Sequence, residues 1–190
     1  MVGLRLFIVI LLLAIIKSRR SGIDYNADSS RRMRTYSLIA HCSEDQIVNW
    51  ECKLCSQTEQ LEKVQYIENK ITQIMVYAGY MKSIDKVSFV FRGTIDAINW
   101  AEDFTFEQVA YKKCTNCKVH EGFYLSYLSV ADKVTAAVKT LRQLYPTKDI
   151  VFTGASLGGA LATVGAIEIH LQVEKISELH TYGSPRTGNL

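Results

Sequence analysis

Ser156 stands in Gly154-Ala155-Ser156-Leu157-Gly158, directly after a β-rich run, Ile150-Val-Phe-Thr153, and directly before a nearly all-apolar segment from Ala160 to Leu171. A serine hydroxyl that attacks a carboxylic ester must be held on a sharp strand-to-helix turn, where side chains two residues to either side would collide. Glycine at 154 and at 158 meets that requirement. The helix that follows aims backbone N–H groups and a positive dipole end at the reacting carbon. Glycine-rich turns also produce this pentapeptide, so it is the strand before it and the helix after it that single out Ser156 as a nucleophile.

A second segment, Phe91-Arg92-Gly93-Thr94, ends another run of strand-forming residues, Val87 to Phe91. The oxyanion of a tetrahedral intermediate needs about two preorganised N–H donors, commonly worth several kcal/mol of barrier. The backbone N–H of Leu157 is one candidate, and Thr94, on a loop after an earlier strand, is the other. A base must also take the proton from Ser156. Of the four histidines, His41 precedes a cysteine-bearing loop and His170 lies in the helix after the elbow, so neither is expected to face the hydroxyl. His180 sits in a strand, and His120 suits a structural hydrogen bond.

These groups need a scaffold. Val64–Ile67, Ile74–Tyr77 and Val87–Phe91 read as short strands. Residues 21–34 read as polar and loose, with an apolar helix beginning at Tyr36. Tyr127, Ala131, Val134, Val138, Leu141 and Tyr145 recur at three- and four-residue steps, predicting one amphipathic helix between Gly122 and Pro146. Strand, helix, strand, helix, strand, ending with Leu179–Tyr182, predicts an α/β domain built on a mainly parallel sheet with helices on both faces. Ile95, Ile98 and Ala101 fall at helical spacing with Trp100 beside them and acidic residues interspersed. That pattern fits an ordinary surface helix, or an amphipathic cover over an apolar pocket.

A chain of 190 residues with 48% hydrophobic content supports one well-buried core. The net charge of +3, with no basic stripe interleaved with aromatics, argues against a nucleic-acid partner. Residues 1–18 have a charged start and an apolar run from Leu6 to Ile16, 11 residues, where a membrane span needs roughly 20. This predicts a signal peptide, with an uncleaved anchor as the alternative, and export to the extracellular space or the endomembrane lumen. The five cysteines suit that oxidising route. Neither Cys-x-x-Cys pair opens a helix after a strand, and no histidine sits at metal-ligand spacing from either, so no metal or cofactor is expected. The expectation is two small-loop disulfides, Cys52–Cys55 and Cys114–Cys117.

Four segments, in this order, make the chain resemble the class 3, or fungal-type, lipase family: Phe91-Arg-Gly-Thr94 with Asn99-Trp100, Val119-His-Glu-Gly-Phe123, Thr153-Gly-Ala-Ser-Leu-Gly-Gly159 and Thr181-Tyr-Gly-Ser-Pro-Arg-Thr-Gly188. The resemblance implies an α/β-hydrolase domain over residues 36–190, a Ser-Asp-His triad, and an oxyanion hole using Thr94 and Leu157. It also implies activity on acylglycerols or related esters, at a lipid–water interface, with a lid containing Ile95, Ile98 and Trp100. The order in such hydrolases is Ser, then an acid, then His, and the family places the last two beyond the Gly-Ser-Pro-Arg segment. The chain is therefore expected to be C-terminally truncated and nearly inactive as it stands, with Cys42 paired to a cysteine further on. Two other readings stay open: a lipase-like, lipid-binding remnant without catalysis, and an esterase acting on acylated (feruloyl-type) polysaccharide.

Overall fold

The computed structural model describes residues 25–93, 107–146 and 148–189. The leader at residues 1–18, Thr94, and the three lid positions Ile95, Ile98 and Trp100 lie outside them.

The core is a five-stranded sheet in the order β1-β2-β3-β6-β7, comprising β1 (Glu62–Asn69), β2 (Ile74–Met81), β3 (Lys86–Phe91), β6 (Asp149–Ala155) and β7 (Glu178–Tyr182). A mainly parallel sheet was the expectation, but the described sheet is mixed. β1, β2 and β3 are joined antiparallel, while β3, β6 and β7 are parallel. The physical reason is the short turns at 70–73 and 82–85, which allow hairpins, whereas a parallel return needs a crossover helix. A separate two-stranded ribbon pairs β4 (Gln108–Ala110) with β5 (Lys118–His120).

Side-chain alternation sends the central strands' residues to two cores. Val76, Ala78, Phe89, Phe91, Ile150 and Phe152 point to one face, under α3 (Glu121–Leu128), α4 (Ala131–Leu144) and α5 (Leu157–Gln172). Met75, Tyr77, Met81, Val90 and Val151 point to the other, under α1 (Ala27–Ile39) and α2 (Glu44–Asn49). Helices therefore cover both faces, as the order of elements predicts. α5 is largely apolar and correspondingly buried over most of Leu157–Ile169, with Ile167 exposed.

Two elements differ from the sequence expectation. α1 begins at Ala27 rather than Tyr36, because the Asn26 side chain caps it by accepting from the N–H groups of Asp28 and Ser29. Its polar residues form the outer side, while Met33, Tyr36 and Ser37 face the sheet. There the Ser37 hydroxyl meets that of Thr153 on β6 at 3.1 Å. The single helix expected between Gly122 and Pro146 is two, α3 and α4, separated at Ser129 and Val130. The Ser129 hydroxyl donates back to the Ser126 carbonyl at 2.7 Å, offering the backbone an alternative to continued helix.

The ring of Phe152 lies at 5.0 Å from that of Phe89 and 5.4 Å from that of Phe91, fully buried under α5. Phe152→Ala is expected to cost about 3–5 kcal/mol in urea unfolding. A cost below about 1 kcal/mol would show that the sheet's core is not where this packing puts it.

Candidate active site

β6 runs into Ser156, which adopts φ 53° and ψ −128°, and α5 starts at the next residue. A side-chain-bearing residue at positive φ of this kind costs on the order of 1–3 kcal/mol and persists only where its surroundings fix it. Here they do. A Cβ on Gly154 would come to 2.2 Å from the Gly158 carbonyl oxygen, and one on Gly158 would come to 2.3 Å from the carbonyl oxygen of Phe91. The first turn of α5 is thus pressed against the strand it follows and against the end of β3. No residue larger than glycine fits at either point.

The turn leaves Ser156 exposed, and its hydroxyl does not cap the helix. The N–H groups of Gly159 and Ala160 donate to the Ser156 carbonyl at 2.9 and 3.3 Å. Leu157, as the first helical residue, has no carbonyl within the helix for its own N–H. Its donor and the positive end of the helix dipole therefore lie beside Ser156. Gly93, the last described residue before Thr94, abuts the elbow as well, since a Cβ there would stand 2.7 Å from the Ala155 carbonyl oxygen.

The four sequence segments converge on this point. The Ser156 N–H donates to the Tyr182 carbonyl at 2.8 Å, and Gly159 lies against Ser184. Gly188 forms a bridge to Val119, and the His120 N–H donates to the Thr187 carbonyl at 2.8 Å. His120 itself N-caps α3, its Nδ1 accepting from the Phe123 N–H, and its ring stacks on Phe123. His170 accepts from the Ile176 N–H, and His180 meets Glu178, which also holds Lys86. Burial raises the Glu178 carboxyl, but hydrogen bonds from His180 and Lys86 outweigh it and hold the group below its ordinary pKa.

His41 precedes the cysteine loop in the sequence, a place from which it is not expected to face the hydroxyl. The structure places its Nε2 at 3.6 Å from where a Cβ on Gly93 would be, next to the elbow. No spacing in the sequence signals this, because the end of α1 is brought to β3 by tertiary packing alone. Loss of hydration and, second, the Arg92 guanidinium push the His41 pKa below the usual imidazole value.

Cys52–Cys55 closes a turn before β1, and Cys114–Cys117 closes the loop between β4 and β5, with Cys42 the free cysteine among the described residues. The second loop is fastened to α5 by Glu168, a buried carboxylate that accepts from Tyr111 at 2.6 Å, from Gln172 at 2.6 Å and from Lys113. Among the described residues, no three His, Cys, Asp or Glu side chains are grouped so as to hold a metal. A cleft of about 520 Å³ lined by Arg31, Arg32, Glu59 and Ser83 touches none of the elbow residues.

Residues 88–190 match the sequence model of a family described as lipase (class 3). A lipase of Rhizomucor miehei is 36% identical over 146 residues, 74% of this chain and 40% of that protein. The secreted mono- and diacylglycerol lipase 1 of Fusarium solani is 37% identical over 118 residues, 62% of this chain and 35% of that one. Among solved structures, a triacylglycerol lipase with a serine protease triad as its catalytic centre superposes with a TM-score of 0.79. It is 30% identical and covers 90% of this chain and 66% of its own. The Rhizomucor miehei triacylglyceride lipase superposes with a TM-score of 0.76 at 29% identity, covering 87% and 65%. The chain thus spans about two fifths of the length of the curated relatives it matches.

Two outcomes follow from this geometry. Gly→Ala at an unstrained, open position stabilises slightly, but Gly158→Ala should lower stability by about 1–3 kcal/mol, because α5 and β3 must part to admit the methyl group. An unchanged denaturation midpoint would contradict the close approach. For His41, the unfolded imidazole takes up a proton as pH falls through its ordinary value of 6.5, while the folded one, held lower, does not. The unfolded state then binds more protons, so stability should fall as pH drops from 7 towards 5. His41→Gln should flatten that slope in parallel denaturation curves, and identical slopes would show that the imidazole is not held neutral.

Proposed function

Since the chain belongs to the class 3 lipase family, we propose that it hydrolyses carboxylic esters of lipids through an acyl-enzyme on Ser156. The observation that carries this reading is the elbow: Ser156 exposed at positive φ between β6 and α5, with Gly158 jammed on the Phe91 carbonyl. In the proposed reaction the Ser156 Oγ attacks the ester carbonyl, and the oxyanion that forms accepts from the Leu157 N–H and from Thr94. Because α5 is clamped in place, the Leu157 donor needs no reorganisation as charge develops, which is what gives such donors their effect. Collapse of the intermediate expels the alcohol, and water then releases the acid. Arg92, which leads from β3 to the oxyanion residues, is held by its guanidinium on the Gln73 carbonyl at 2.7 Å. Its backbone N–H is held on the Met75 carbonyl at 3.0 Å, so the oxyanion strand ends in a fixed position.

The proton of Ser156 has to pass to a base. In the structural relative named for its triad, a serine protease arrangement supplies it. Here His120, His170 and His180 are engaged at other sites, while His41 lies beside Gly93; a second reading, in which the protein binds ester lipids without turning them over, applies if no base reaches Ser156. The leader pattern and the secreted Fusarium solani relative support export, with substrate met outside the cell or in the endomembrane lumen, at a lipid–water interface.

In a full-length version that carries the complete triad, Ser156→Ala should lower turnover of a short-chain chromogenic ester by about 10³-fold or more, with a nearly unchanged melting temperature. A loss of only a few-fold would remove Ser156 from the mechanism. Ester binding without measurable turnover in the unmodified protein would select the second reading.

A further inference from the structure

We propose that the turn between β1 and β2, together with the outer face of α3, is the surface by which this protein seats itself on lipid, with Ile71, Leu125 and Leu128 entering the apolar layer. Ile71 is 95% exposed, Leu125 57% and Leu128 43%. A single exposed aliphatic residue on a loose loop would carry no meaning. This turn is not loose. The Asn69 Oδ1 accepts from the N–H groups of Ile71 and Thr72 at 3.0 and 3.2 Å, and its Nδ2 donates to the Ser129 carbonyl at 3.0 Å. The hydroxyls of Thr72 and Ser129 meet at 2.9 Å. The turn is therefore bolted to the C-terminal end of α3, where Leu125 and Leu128, three residues apart, share one face. Fixed polar bonds hold a group of aliphatic side chains out in water.

The location is consistent with this use. Val76 pairs with Phe91, so the turn preceding Ile74 projects beyond the C-terminal end of β3, the end against which the Ser156 elbow is pressed. Docking there brings the candidate site to the same lipid surface. Three aliphatic side chains are far fewer than the roughly 20 residues a side that a stable protein interface uses. Insertion into an acyl layer needs only a few side chains. Lys70 adjoins Ile71, and Lys133, whose ammonium donates to the Glu68 carbonyl at 2.7 Å, lies beside the same turn. Both ammonium groups suit lipid phosphates at the level of the headgroups, above buried aliphatic tips.

This inference takes its direction from the ester-lipid reading, but its test is binding and not turnover. Ser156→Ala protein, which leaves vesicles intact, is mixed with unilamellar vesicles of phosphatidylcholine, with and without phosphatidylglycerol, and the bound fraction is read by flotation. Ile71→Asp and, separately, Leu125→Ser should each weaken partition roughly tenfold or more, with the melting temperature unchanged for Ile71→Asp, whose side chain is already exposed, and lowered by no more than a few degrees for Leu125→Ser within α3. Lys70→Glu should weaken binding only to the vesicles that contain phosphatidylglycerol. In protein that retains Ser156, Ile71→Asp should leave hydrolysis of a dissolved short-chain ester unchanged. Absence of vesicle binding by the parent overturns the proposal, as does equal binding by the parent and both apolar variants. A dimer in sedimentation that Ile71→Asp abolishes overturns it in favour of a second copy as the occupant. Binding that depends on Ile71 in a protein without esterase activity sustains the proposal while removing the ester reading.

Discussion

The approach of Gly158 to the carbonyl of Phe91 is the constraint on which the rest of the structure depends. Backbone meets backbone at the one place where the nucleophile strand, the oxyanion strand and the long buried helix share a corner. With Phe91 beside Gly154 in the parallel register of β3 and β6, the helix can start here only if Gly154 and Gly158 both lack a Cβ. The positive φ of Ser156 is a consequence of this contact. The strain is stored where the hydroxyl has to be presented, and the stabilisation that offsets it comes from burying most of α5 against the sheet.

A second layer of contacts keeps that corner from opening. Tyr182 and Ser184 hold the elbow from the β7 side, and Gly188 joins the β4–β5 ribbon to the same loop. On the opposite face, α1 is tied to β6 through Ser37 and Thr153, and to β7 through Tyr182, whose hydroxyl reaches the Ser30 backbone. The segments that resemble a family motif by motif are thus one cluster in space. Tyr182 and Ser184 meet the elbow directly, and Val119 and His120 join it through Gly188 and Thr187.

What the sequence made legible was what local chemistry decides. β3 and β6 are runs of β-branched and aromatic residues bounded by turns, and they form strands within one or two residues of the expected limits, whereas β2 continues through Ala78 and Gly79 to Met81, four residues past the expected end. The elbow was legible because steric exclusion at Gly154 and Gly158 has no cheap alternative. Less was visible where tertiary contacts decide. The helix at Ala27–Ile39 has a mostly polar sequence, and its early start rests on the Asn26 cap together with an inner side that packs against β6. The break between α3 and α4 rests on one serine that bonds backwards and also meets Thr72 across the surface. The mixed sheet depends on hairpin turns that a strand-and-helix alternation does not weigh. His41 reaches Gly93 only once α1 is packed, so no spacing pattern could have found it.

Whether Ser156 is the group that reacts is decided most directly by treating the protein with a fluorophosphonate and mapping the adduct by peptide mass spectrometry. The account predicts one phosphonylated serine, at position 156, with labelling suppressed when a slow ester substrate is present in excess. A modified residue elsewhere, or ester turnover that persists with no adduct at Ser156, would contradict it.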